Sequence, residues 1–197
     1  MGRRVKTVTE SHIPTDNELI ASSLRGDTAA FAKLVLRYRL MAIAVSYRIC
    51  GNAALAEDIA QETFIRIWEK LSTFRPEGNF RGWLCRIAAN MTIDAVRRKK
   101  PMTDIAEIPL DDGKVGPEGD ALQKERAAMV KAAIMQLPVP SRAVLVLREY
   151  EGLSYQEIAD ALDIPLGTVK SRLNDARRRL QVELQDYMEQ EGKYATR

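Results

Sequence analysis

An all-α fold, two small helical domains joined by a flexible linker, is what three features of the 197-residue chain predict. Apolar residues step at helical spacing through residues 15–100 and again through 121–182, the pattern of amphipathic helices packed on a core. No segment alternates apolar and polar residues over a useful strand length. Between the two periodic stretches, residues 101–120 hold three prolines, three glycines and six acids against one lysine, the composition of a linker. Extended, it would span about 65–70 Å, roughly two turns of duplex DNA. Residues 1–14 are a short basic leader and residues 183–197 an acidic, helical tail end.

The elements follow in order. Thr15 or Asp16 can cap a first helix that carries Leu19, Ile20 and Leu24 and ends near Gly26. Asp27 or Thr28 caps a longer one, with Phe31, Leu34, Tyr38, Met41, Val45 and Ile49 at helical spacing before Gly51 stops it. A third, over residues 52–71, buries Leu55, Ile59, Ala60, Phe64, Ile67, Trp68 and Leu71 and turns Asp58, Gln61, Glu62 and Glu69 elsewhere. Proline and glycine make residues 72–79 a loop, and a fourth helix runs over 80–100, ending in Arg97, Arg98, Lys99 and Lys100. Past the linker, a helix through Met129, Ala132, Ala133 and Leu137 breaks at Pro138 and Pro140. Ser141 caps the next, with Val144, Leu145, Val146, Leu147 and Tyr150.

Residues 154–180 have the form of a helix-turn-helix. Ser154 and Glu157 stand at capping-box spacing, and Ile158, Ala159 and Leu162 share one face of a short helix. Pro165 and Gly167 mark the turn, and Val169, Leu173, Ala176 and Leu180 form the buried stripe of a second helix. Off that stripe lie Thr168, Lys170, Ser171, Arg172, Asn174 and Arg178; residues 168–180 carry five basic side chains against one acid, Asp175. A helix about 20 Å long with such a face suits the major groove, where asparagine pairs with adenine and arginine with guanine or phosphate.

Charge and composition narrow the function. Net charge is only +3, but it is divided: +5 over residues 15–100, −5 over 101–120 and +3 over 121–182, as in two nucleic-acid-facing modules around a segment with another partner or none. Cys50 and Cys85 are far apart and His12 is the single histidine, so no zinc set and no histidine-based triad is expected, and no cofactor. Both thiols sit among apolar residues, consistent with burial in a reducing compartment. No signal peptide and no apolar run of membrane-spanning length is visible, which points to a cytoplasmic protein without membrane insertion.

The block Asp58-Ile-Ala-Gln61-Glu62-Thr-Phe64, then Phe80-Arg81-Gly-Trp83-Leu84, then Ile87-Ala-Ala-Asn90 with Asp94 and Arg97-Arg98 resembles region 2 of bacterial RNA polymerase sigma factors. Leu137-Pro138 and the run from Arg142 to Leu180 resemble region 4, and the short length and missing middle domain are those of the extracytoplasmic-function group. The resemblance covers all but the leader, linker and tail. It implies a non-enzymatic factor that docks on core polymerase through Asp58, Gln61 and Glu62, against a coiled coil of the largest subunit. It further implies that residues 74–79 with Phe80, Arg81 and Trp83 trap an unpaired base, where aromatic and arginine faces contribute about 1–3 kcal/mol per stacked base.

Asn79 offers base-edge contacts, and Arg86, Asn90, Arg97 and Arg98 continue toward a single strand or phosphates. Double-stranded and melted promoter DNA are the implied nucleic acids, an anti-sigma protein the implied regulator, and the acidic linker the part that lies in the polymerase's basic cleft. Related sequences commonly carry a basic residue at the position of Asp175, a departure that bears on promoter preference. A two-domain regulator of response-regulator type could carry a similar helix-turn-helix, but would need an α/β receiver in place of residues 15–100. A nucleic-acid-processing enzyme would need a second acidic cluster beside Asp58 and Glu62.

Overall fold

The computed structural model describes residues 13–75, 78–98 and 120–194, with side chains over 125–185 of the last stretch. Nearly all of the leader and the linker, with Lys99 and Lys100, therefore lie outside the described residues. Helix α1 (Asp16–Leu24) begins at a capping box: Thr15 Oγ1 accepts from the Glu18 amide, and the Glu18 carboxylate accepts from the Thr15 amide at 2.7 Å. Asp16, one residue inside, is left to pair with Arg37 at 2.5 Å. Helix α2 (Thr28–Cys50) starts at Asp27, whose Oδ1 accepts from the Ala29 and Ala30 amides. It stops at Gly51, whose φ of +73° is open to glycine without strain. A Cβ there would meet Met135 Sδ at 2.7 Å.

Within α2 the chain divides into a unit up to Arg37 and a unit from Tyr38 onward. Among the described residues of the first, Leu19, Ile20, Ala30 and Leu34 are buried and apolar. The second holds α3 (Ala53–Lys70), a tight turn at Leu71–Thr73, α4 (Phe80–Arg98), α5 (Asp120–Gln136) and α6 (Val139–Leu145), which runs into a widened turn at Val146–Tyr150. It ends with α7 (Tyr155–Leu162) and α8 (Leu166–Tyr194). Helix α4 is central, packed on α3, α6 and α7, and α8 packs on α5, α6 and α7. The two helical stretches on either side of the linker are thus packed together in one unit, around Leu84, Ala88, Val144, Leu147, Ile158 and Leu173.

Three sequence expectations are corrected. Trp68 is 41% exposed, because the buried face of α3 runs through Ala56, Ile59, Ala60, Thr63, Phe64 and Ile67 and leaves the indole at its edge. Ser141 does not cap α6: the helix begins at Val139, with Pro140 in the first turn, where a missing amide costs nothing, and Ser141 is buried. Cys85 is buried as expected, whereas Cys50 is only half so.

The helix-turn-helix has the expected ends. Ser154 and Glu157 form the capping box of α7, Asp163 ends it at φ +51°, and α8 starts directly after Pro165. Its helix continues through the tail to Tyr194. Among the described residues there is no strand, so the receiver domain required by the response-regulator reading is missing from residues 15–98. Among them, too, no group of three or more metal-ligating side chains occurs and no helix is long and apolar enough to cross a membrane.

Candidate nucleic-acid interface

The loop before α4 is organised by aromatic rings. The Phe74 ring centre lies 5.2 Å from that of Trp83 and 5.7 Å from that of Phe80, and Phe80 lies 5.2 Å from Tyr38. Phe80 is only 3% exposed, which corrects the expectation that it offers a face to DNA. At three-residue spacing on α4, Phe80 turns into the core while Trp83 stays at the rim. Asn79 is exposed, and its Oδ1 caps α4 by accepting from the Gly82 amide at 3.3 Å. Arg75, Asn79, Trp83, Arg86 and Glu157 line an open cleft of about 510 Å³ beside this loop.

Along α4 the predicted contacts separate. Arg86, Arg97 and Arg98 are exposed, free of a large desolvation cost and available to phosphates. Arg81 and Asn90 are engaged within the chain. Arg81 Nη2 meets Glu151 Oε2 at 2.9 Å, and Asn90 Nδ2 donates to the Ala161 carbonyl at 2.7 Å. Glu151 is 5% exposed and has Arg48 Nη1 on its other oxygen at 3.9 Å. The Cys85 thiol lies 3.9 Å from the same carboxylate, and burial first, then that negative charge, push it up to about 12.

In the helix-turn-helix, Val169, Leu173 and Ala176 are fully buried, so packing fixes the rotation of α8. Lys170, Ser171, Asn174 and Arg178 are exposed by that rotation, and Thr168 and Arg172 are half-exposed. Ser171 Oγ donates to the Thr168 carbonyl at 3.1 Å. Asp175 accepts from Arg179 Nε at 2.8 Å and Arg178 Nη2 at 3.2 Å. Those hydrogen bonds hold its carboxyl below the usual range. One acid on α8 therefore orients two of its arginines. Arg177 is turned away and pairs with Glu149 at 2.6 Å.

On α3, Asp58, Gln61 and Glu62 are exposed together. Sequence reasoning missed that Ile65 is 59% exposed on the same side. Ala54, Asp58, Gln61, Ile65 and Trp68 are all exposed at successive spacings of four, three, four and three, so they form one exposed seam along the helix. The spacing was visible in the sequence; that it faces solvent was not.

Arg142 was also missed. The residue is 8% exposed, and its guanidinium donates to the carbonyls of Ile49, Met135 and Leu137 at 2.7, 2.6 and 2.8 Å. These lie at the ends of α2 and α5, where carbonyls have no partner in their own helix. Burial lowers its proton affinity from the ordinary arginine range, yet it stays charged. A lone charge ahead of five apolar residues, Ala143 to Leu147, was the available signal.

Comparison with protein families matches residues 34–101 to Sigma-70 region 2 and residues 127–180 to Sigma-70, region 4. The chain is 38% identical over 175 residues to the ECF RNA polymerase sigma factor SigW of Bacillus subtilis, spanning 82% of this chain and 92% of that protein. It is 38% identical over 181 residues to the RNA polymerase sigma-H factor of Pseudomonas aeruginosa, spanning 86% and 94%. Among solved structures, CnrH in complex with the cytosolic domain of CnrY aligns with a TM-score of 0.65 at 26% identity, over 87% of this chain and 97% of that one. The sigma factor RpoE of Bartonella quintana, in complex with the anti-sigma factor NepR, aligns with a TM-score of 0.65 at 25% identity, over 79% and 96%.

Proposed function

Because the chain belongs to the sigma-70 family, in its extracytoplasmic-function group, we propose that it acts through three surfaces used in turn. It is a sigma factor: it binds core RNA polymerase and directs promoter recognition, melting and the start of transcription. It acts in the cytoplasm and catalyses no reaction of its own. Asp58, Gln61 and Glu62 dock on a coiled coil of the polymerase, with Ile65 and Trp68 adding apolar contact in the same seam. The observation that carries this reading is that seam: acids and an amide for orientation, apolar side chains for burial, at coiled-coil spacing.

Lys170, Ser171, Arg172, Asn174 and Arg178, with Thr168 at the helix start, read the upstream promoter element in the major groove. Asn79 and Trp83 hold an unpaired base at the other element. Arg81, Arg86, Asn90, Arg97 and Arg98 follow the displaced strand. Phe80 supports this site from the core and does not stack on a base. On this reading residues 15–100 and 121–182 are the two working modules and 101–120 the connection between them. An anti-sigma protein is the expected partner, as in the solved RpoE structure captured with the anti-sigma factor NepR.

The test is transcription with purified core enzyme on a promoter library, with and without the chain. A set of start sites should appear only when it is present. If none does, the reading is wrong.

A further inference from the structure

The side chains that should follow a melted strand are those on which the second helical stretch sits. Arg81 is paired with Glu151, and Asn90 with the Ala161 carbonyl. Ala161 lies in the last turn of α7, so its carbonyl needs an outside donor, and the Asn90 amide supplies it. The cleft beside Trp83 has Leu153, Glu157, Asp160 and Ala161 on its far side, which places two acids where a strand's phosphates would pass. Smaller contacts join the same two stretches. The Arg48 guanidinium lies 4.3 Å over the Tyr150 ring, and Lys131 Nζ lies 4.8 Å from the Tyr47 ring centre. In contrast Lys170, Asn174 and Arg178 on α8 stay exposed.

We propose that this is a self-inhibited form of the chain, in which residues 151–161 occupy the single-strand site of α4. The Glu151 carboxylate takes the place of a strand phosphate on Arg81, and the Ala161 carbonyl that of a base-edge acceptor on Asn90. The duplex-reading face of α8 is left open. The free chain therefore reads duplex DNA and refuses single strands until α7 leaves α4. This inference rests on the reading of α4 as the strand-binding helix.

Two variants of the full chain test it, each checked for intact helicity by circular dichroism. Glu151→Gln removes the charge that Arg81 holds, and a fluorescein-labelled mixed-sequence single strand should bind about tenfold more tightly, the worth of a lost charge-assisted hydrogen bond. Lys131→Ala truncates a half-buried side chain and removes an outlying contact to the Tyr47 ring, and should tighten the same binding about two- to fivefold. Mixed-sequence duplex affinity should stay within about twofold in Glu151→Gln, whose side chain is paired with α4 and makes no bond to Lys170, Asn174 or Arg178.

The opening itself is read in Lys131→Ala from iodoacetamide labelling of Cys85, resolved by mass spectrometry, because no charge beside that thiol changes. Faster labelling with tighter strand binding supports the closed form. Unchanged labelling with unchanged strand binding in both variants overturns it alone. Faster labelling without tighter strand binding overturns it together with the strand-binding role of α4.

Discussion

Arg142 holds the end of a helix 93 residues away: its Nη1 donates to the Ile49 carbonyl at 2.7 Å, while Nη2 serves Met135 and Leu137. One planar guanidinium thus satisfies the ends of α2 and α5 together. Arg142→Met keeps the volume but leaves three buried carbonyls without donors, and should cost about 3 kcal/mol or more in urea unfolding. Arg142→Lys should recover less than half of that, because an ammonium lacks the fork that reaches two carbonyl directions at once.

The α3 seam is separable from stability. Ile65 is 59% exposed, so Ile65→Asp should leave the urea midpoint of the free chain unchanged within error. Capture of core polymerase should fall at least about tenfold, since a charge would replace buried apolar contact. Asp58→Arg combined with Gln61→Arg should abolish capture with circular dichroism unaltered. Unchanged capture in both would remove the docking face from α3.

Asp175 restrains the basic stretch of α8 by holding Arg178 and Arg179. Asp175→Ala frees both and removes a negative charge from the face proposed to meet DNA. Duplex affinity should rise, and the slope of log affinity against log salt should steepen by about 1. Anisotropy titrations over a salt series measure both, and a flat response would place Asp175 away from the phosphates.

The capping box of α7 gives a pH signature. Hydrogen bonds from the Ser154 amide and then its hydroxyl hold the Glu157 carboxyl below its ordinary range. A depressed carboxylate contributes stability above its unfolded pKa and loses it as pH falls through the folded one. The stability difference between the wild type and Glu157→Gln should therefore be full at neutral pH and shrink on acidification below the ordinary glutamate range. Ser154→Ala should cost about 1 kcal/mol at neutral pH.

Much of the fold was legible because its signals are local. Thr15, Asp27, Asn52 and Ser154 start helices by contacts within three residues, and Gly51 ends one by its own φ. The exposed side chains of α8, and Asp58, Gln61 and Glu62 on α3, followed from helical period, whereas the exposure of Ile65 did not. Trp68 marks where periodicity failed and Phe80 where the family resemblance did, since each sits at the edge of an apolar stripe and packing alone decides which way it turns. Asn90 marks another failure. Nothing near it in sequence announces that its amide is used by Ala161.

The sequence by itself determined the helices, the helix-turn-helix and the membership of the family, because caps, periods and spaced motifs act over a few residues. Only the tertiary structure decided which functional side chains are open and which are held. Arg81 meets Glu151 across 70 residues, Asn90 meets Ala161 across 71 and Arg142 meets Ile49 across 93. Such pairings depend on how α4, α6 and α7 pack, and burial gives them strength that the same groups would not have in water.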